Sequence, residues 1–81
     1  FALESFELYP NPAKNNVTIN WNKSDLVSVR IFDALGKLMY FTKNIDISEP
    51  KAIDVSNYSS GLYFVKINNL EGSVTKKLII E

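Results

Sequence analysis

The chain has 81 residues, a formal net charge of +0, 46% hydrophobic and 12% aromatic residues, and neither Cys nor His. That length supports one domain with a modest core, burying roughly 60–65% of its unfolded surface, and leaves little room for a deep enclosed active site. The missing residue types exclude a disulfide framework, a thiol nucleophile, an imidazole base and the usual zinc sites, and the balanced charge argues against a nucleic-acid footprint.

The opening residues Phe1–Ser5 lack an initiator Met, a charged n-region and an apolar h-region. They read as a linker remnant of a longer precursor whose export signal lies elsewhere. Alternation with a period of two then runs through the chain. Val17, Ile19 and Trp21 alternate with Thr18, Asn20 and Asn22, and Val27, Val29 and Ile31 with Ser28 and Arg30. Tyr63, Val65 and Ile67 alternate with Phe64, Lys66 and Asn68, and Val74, Leu78 and Ile80 with Ser73, Thr75 and Lys77. The segments favour β-branched and aromatic residues. Seven short strands are predicted, at about 6–9, 16–21, 26–33, 37–43, 51–55, 62–68 and 73–80. No strand alternates with a long helix, so the expected fold is an all-β, two-sheet antiparallel sandwich.

The connections carry their own chemistry. Tyr9-Pro10-Asn11-Pro12-Ala13-Lys14-Asn15-Asn16 contains two residues that cannot donate to a ladder, so it turns between the first edge strand and the next. Asp33-Ala34-Leu35-Gly36 fits a type I turn, with Asp33 bonding the backbone and Gly36 taking φ > 0 before Lys37. Asn69-Leu70-Glu71-Gly72 repeats that pattern, and both read as hairpins closed by a glycine bulge. Ser56-Asn57-Tyr58-Ser59-Ser60 reads as one helical turn capped by Ser56. Gly61 then restarts a strand with Tyr63, which resembles the tyrosine corner of immunoglobulin-like sandwiches. There the hydroxyl returns to the preceding connection, here expected near Tyr58.

Several elements in this order resemble one family. They are Leu8-Tyr9-Pro10-Asn11-Pro12-Ala13, Val29-Arg30-Ile31-Phe32-Asp33 with Gly36-Lys37, and Ile53-Asp54-Val55. Gly61-Leu62-Tyr63-Phe64-Val65-Lys66-Ile67 and Thr75-Lys76-Lys77-Leu78-Ile79-Ile80 complete the set. Together they resemble the type A C-terminal sorting domain of type IX (Por) secretion cargo in Bacteroidota, over roughly residues 6–81. The resemblance implies an immunoglobulin-like sandwich of about seven strands and a non-catalytic role. Such a domain follows an exported cargo, is recognised in the periplasm by the secretion machinery, and crosses the outer membrane with it. At the surface a sortase-like peptidase removes it, and the cargo is released or anchored. The residues carrying the resemblance are Tyr9, Pro10, Asn11, Pro12, Gly36, Lys37, Gly61, Tyr63, Lys76, Lys77 and Leu78.

Each has a plainer reading beside the functional one. The prolines stiffen a turn, the glycines serve the backbone, and Tyr63 locks a corner. Lys76 and Lys77 point to opposite faces, so one is solvated and the other snorkels. They either guard the last strand against stray pairing or mark it as the element a receptor grips by strand addition. Asp25, Asp33, Asp46 and Asp54 are scattered and form neither a catalytic pair nor a dense calcium loop. No catalytic residue, metal ligand or cofactor is expected, and the domain is expected to be monomeric. The competing readings are an accessory carbohydrate-binding module, with Trp21 as its first aromatic, and a passive spacer.

Overall fold

The computed structural model describes residues 6–20, 26–46, 50–70 and 72–81, with no side chains for 44–46. The expectations placed on residues 1–5, Trp21, Asn22, Asp25 and Glu71 lie outside these residues. Alternating β-branched sequence becomes seven strands: β1 (Glu7–Tyr9), β2 (Asn16–Asn20), β3 (Leu26–Asp33), β4 (Leu38–Asp46), β5 (Lys51–Asp54), β6 (Gly61–Asn69) and β7 (Gly72–Ile80). One sheet has the order β1-β2-β5 and the other β4-β3-β6-β7, with every strand pairing antiparallel. This is the expected two-sheet sandwich.

Alternation decides which side chains meet between the sheets. Val17 and Ile19 of β2 face Val27, Val29 and Ile31 of β3, Tyr63, Val65 and Ile67 of β6, and Leu78 and Ile80 of β7 in one cluster. Phe6, Ala13, Ile53 and Val55 complete it, and no buried polar residue interrupts it among the described residues. Burial of a side chain of this kind stabilises by about 1.5–3 kcal/mol, so this cluster is what offsets the entropy of ordering the chain.

The Asp33–Gly36 turn forms as its composition requires. The Gly36 amide donates to the Asp33 carbonyl at 3.0 Å, and the Leu35 and Lys37 amides both donate to Asp33 Oδ1 at 2.9 Å. Gly36 sits at φ 89, where a Cβ is disfavoured. The second hairpin departs from expectation. Asn69 pairs directly with Gly72, so the connection is two residues, 70–71, and Gly72 belongs to the ladder rather than to a bulge.

The β5–β6 connection also differs. Residues 56–58 form a turn rather than a helical turn, closed by the Tyr58 amide donating to the Val55 carbonyl at 3.0 Å. Its anchor is Asp54 rather than Ser56. The Ser56 amide and hydroxyl both donate to Asp54 Oδ1, at 2.9 and 2.7 Å. Those bonds stabilise the carboxylate, hydroxyl first, and hold the Asp54 pKa below its ordinary value. Aspartate wins here because an ionised oxygen accepts more strongly than a hydroxyl.

The tyrosine corner is present. Tyr63 is buried, and its hydroxyl donates to the Ser59 carbonyl at 2.7 Å. Its ring meets that of Tyr58 with centroids 5.4 Å apart. Burial, followed by the neighbouring Tyr40, pushes the Tyr58 phenol pKa up.

Candidate functional site: the sealed edge of the last strand

Strand β7 is an edge strand, with β6 on one side only. The residues that cover part of its other side come from the proline-containing connection between β1 and β2. Asn11 Nδ2 donates to the Lys77 carbonyl at 3.0 Å, and the Ile79 amide donates to Asn11 Oδ1 at 2.9 Å. The Ala13 amide then donates to the Ile79 carbonyl, and the Glu81 amide to the Ala13 carbonyl, both at 2.8 Å. Ala13 and Ile80 form a parallel bridge. A primary carboxamide carries the donor and acceptor of a peptide group. Asn11 therefore acts as one more residue of a short pseudo-strand laid along β7.

The local sequence explains this geometry. Pro10 and Pro12 flank Asn11, both after cis peptide bonds, and neither competes with it for the ladder. Ala13 is completely buried, so the connection approaches β7 on a side chain no larger than a methyl. The stretch is indeed a turn between β1 and β2, but its hydrogen bonds go to the last strand.

Backbone alternation fixes what remains uncovered. Ile79 presents both its amide and its carbonyl outward, so Lys77, Thr75 and Ser73 do the same. The Lys77 carbonyl is taken by Asn11. The outward groups of Ser73 and Thr75 bond neither Asn11 nor Ala13, and among the described residues they form a short open edge.

The basic pair divides as its spacing requires. Lys76 lies opposite Val65 on the core-facing register and snorkels, with Nζ 5.9 Å from the centroid of the Phe6 ring. Lys77 lies opposite Phe64 on the outward register and is exposed. Leu78 is fully buried between the sheets.

Most of the sequence-selected residues gather at one end of the sandwich. Asp33 pairs with Tyr63, and Gly61 with Ile80, so the Gly36-Lys37 turn, the Gly61-Tyr63 corner and the end of β7 share that end. The Tyr9–Ala13 segment arrives there through the bridge to Ile80. Tyr9 closes β1 opposite Thr18 and is exposed. Lys37 is exposed too, and its carbonyl accepts from the Asp33 amide at 2.9 Å. Sequence reasoning selected Asn11 without foreseeing its bonds to β7, and it missed Ala13 as a site residue. A small apolar residue after two prolines and an asparagine was the available signal.

This arrangement holds the end of the last strand in place. Among the described residues no three His, Cys, Asp or Glu side chains are placed to hold a metal, and no helix is long and apolar enough to cross a membrane. The motifs that converge here are those of a family model described as a secretion system C-terminal sorting domain, which matches residues 7–81. The chain belongs to this family. The sorting domain is also similar to the ulvan lyase NLR42 of Nonlabens ulvanivorans, with 30% identity over 79 residues. The match covers 96% of the chain and only 15% of that enzyme's length. A type IX sorting domain is a secretion signal carried by an exported protein, and it directs that cargo across the outer membrane to the surface or the medium.

Proposed function

We propose that the domain is a non-catalytic address read at strand β7, and that the secretion machinery grips the open edge at Ser73 and Thr75 by adding a strand. The observation that carries this reading is the division of one edge. Its end is covered by Asn11 and Ala13, while among the described residues no partner is seen for the outward backbone of Ser73 and Thr75. Long open edges invite indiscriminate pairing, and covering one end leaves a shorter, defined docking element. Lys77 and the snorkelling Lys76 flank it and disfavour pairing with other copies, which agrees with a monomeric domain.

The remaining sorting-motif residues then act as supports. Pro10, Asn11 and Pro12 present the cover, Gly36 and Lys37 close the adjoining hairpin, Gly61 and Tyr63 fix the crossover, and Leu78 anchors β7 in the core. The domain passes through the periplasm attached to its cargo, and a sortase-like peptidase separates the two at the surface. The family membership supports that route, and the lyase relative supports a secreted enzyme as the class of cargo.

Thr75→Pro tests the edge directly. The Thr75 amide points away from β6, so proline there deletes an outward donor while sparing the β6 ladder. In a type IX host, a reporter carrying the variant is expected to remain in the periplasm while the purified domain keeps its β-sheet circular dichroism. Export at the wild-type level from a folded variant excludes recognition through this edge.

A further inference from the structure

Toward the opposite end of the same sheet, beside the Ser73 backbone of the open edge, lies a set of side chains that the sorting role leaves unused. A depression of about 480 Å³ is lined by Arg30, Lys66, Asn68, Asn69, Gly72 and Ser73, with Leu70 at its rim. Arg30 and Lys66 are direct cross-strand partners on β3 and β6. Like charges directly opposite each other on a sheet destabilise it. Among the described residues no carboxylate stands on the outward positions of β3, β6 and β7: they are Leu26, Ser28, Arg30 and Phe32, then Leu62, Phe64, Lys66 and Asn68, then Ser73, Thr75, Lys77 and Ile79.

The arginine is also held in position. Its guanidinium carbon lies 4.6 Å from the Phe41 ring centroid, and its Nη1 donates to Asn68 Oδ1 at 2.9 Å. That bond fixes the Asn68 carboxamide and turns its amino group to other acceptors. A held guanidinium, a second cation opposite it, a carboxamide and the Ser73 side chain thus line one open bowl.

We propose that this bowl binds an anionic glycan, its carboxylate or sulfate group between Arg30 and Lys66 and its hydroxyls on Asn68 and Ser73. A guanidinium offers forked donors matched to either acid, and the lysine adds a point charge. The volume falls within the ~300–1,000 Å³ of small-ligand sites. The lining favours sugar over an acidic polypeptide. It supplies neutral hydrogen-bonding groups that match sugar hydroxyls, and the one large apolar residue of the lining, Leu70, is a fully exposed tip rather than a seated anchor.

The test uses the whole chain with three probes of stated composition: dextran sulfate, polygalacturonate and neutral dextran. Affinity electrophoresis is expected to show retardation by at least one acidic polysaccharide and none by dextran; which acid acts separates sulfate from carboxylate. Arg30→Gln and Lys66→Gln are each expected to weaken retention about tenfold, with Lys51→Gln on the other sheet within about twofold. Lys66→Gln is also expected to raise the urea midpoint of the unliganded domain, since it removes the cross-strand repulsion. The proposal is overturned if neither acidic polysaccharide is retained, or if Lys51→Gln weakens retention as much as Arg30→Gln. Equal or tighter binding of poly-glutamate also overturns it and assigns the bowl to acidic polypeptide.

Discussion

Leu78→Ala is expected to lower the stability of the domain by about 3 kcal/mol. Leu78 is fully buried in the shared core, where β7 meets the other sheet, and it stands opposite Tyr63 of the corner. A domain of this size has a total stability on the order of 5 kcal/mol. One truncation therefore removes more than half of it, because the cavity it leaves adds to the lost transfer free energy. Urea unfolding followed by circular dichroism measures this, with the midpoint shifted and the slope unchanged. A loss under about 1 kcal/mol contradicts the placement of β7 in the core. The result also bears on export experiments. A deletion of β7 would unfold the domain, so variants such as Thr75→Pro, which keep Leu78 and Ile80 seated, are the informative ones.

The second large effect is expected at Asn11. Replacement by alanine removes both side-chain bonds to β7, from Nδ2 to the Lys77 carbonyl and from the Ile79 amide to Oδ1. Net contributions of this kind are about 0.5–1.5 kcal/mol each, so the global loss is about 1–3 kcal/mol. The local signature is sharper. The Ile79 amide loses its acceptor on that side and becomes part of an open edge. Native-state hydrogen exchange is expected to show its protection falling at least tenfold, while the Glu81 amide, which bonds the Ala13 carbonyl, falls less. Unchanged protection of Ile79 in Asn11→Ala contradicts the covering role. If the open edge is what the machinery reads, the same variant lengthens it, and pairing between copies of the domain becomes the competing event.

Much of the fold was legible because it rests on a local pattern. The strand positions, the antiparallel class and the core residues follow from side chains alternating every second position, and the Asp33–Gly36 turn follows from one carboxylate and one glycine. Tyr63 was legible for a similar reason, since a tyrosine just after a glycine at a sheet crossover has one nearby carbonyl to reach. What was not legible depends on contacts across long sequence separation. Nothing near Asn11 shows that its partners are Lys77 and Ile79, because a proline-flanked asparagine also suits an isolated turn. The Ser56 expectation failed on a local competition, in which the Asp54 carboxylate outbid a hydroxyl two residues on. The glycine bulge expected at Gly72 failed on loop length, since the ladder continues to Asn69 and leaves two residues for the turn.

The cationic bowl was missed for a different reason. Arg30 and Lys66 are 36 residues apart, and a zero net charge hides a local pair of like charges. Only the β3–β6 register brings them opposite each other. Trp21, the first aromatic of the competing carbohydrate-binding reading, lies outside the described residues, and the aromatic beside Arg30 is Phe41.

The most direct measurement of the central claim is transplantation. Residues 1–81 joined to the end of an otherwise periplasmic reporter, expressed in a type IX host, should carry the reporter to the cell surface or medium. The same fusion in a host lacking the secretion apparatus should leave it in the periplasm. Retention of the reporter in the periplasm of the competent host, with the domain shown to be folded, would contradict the account.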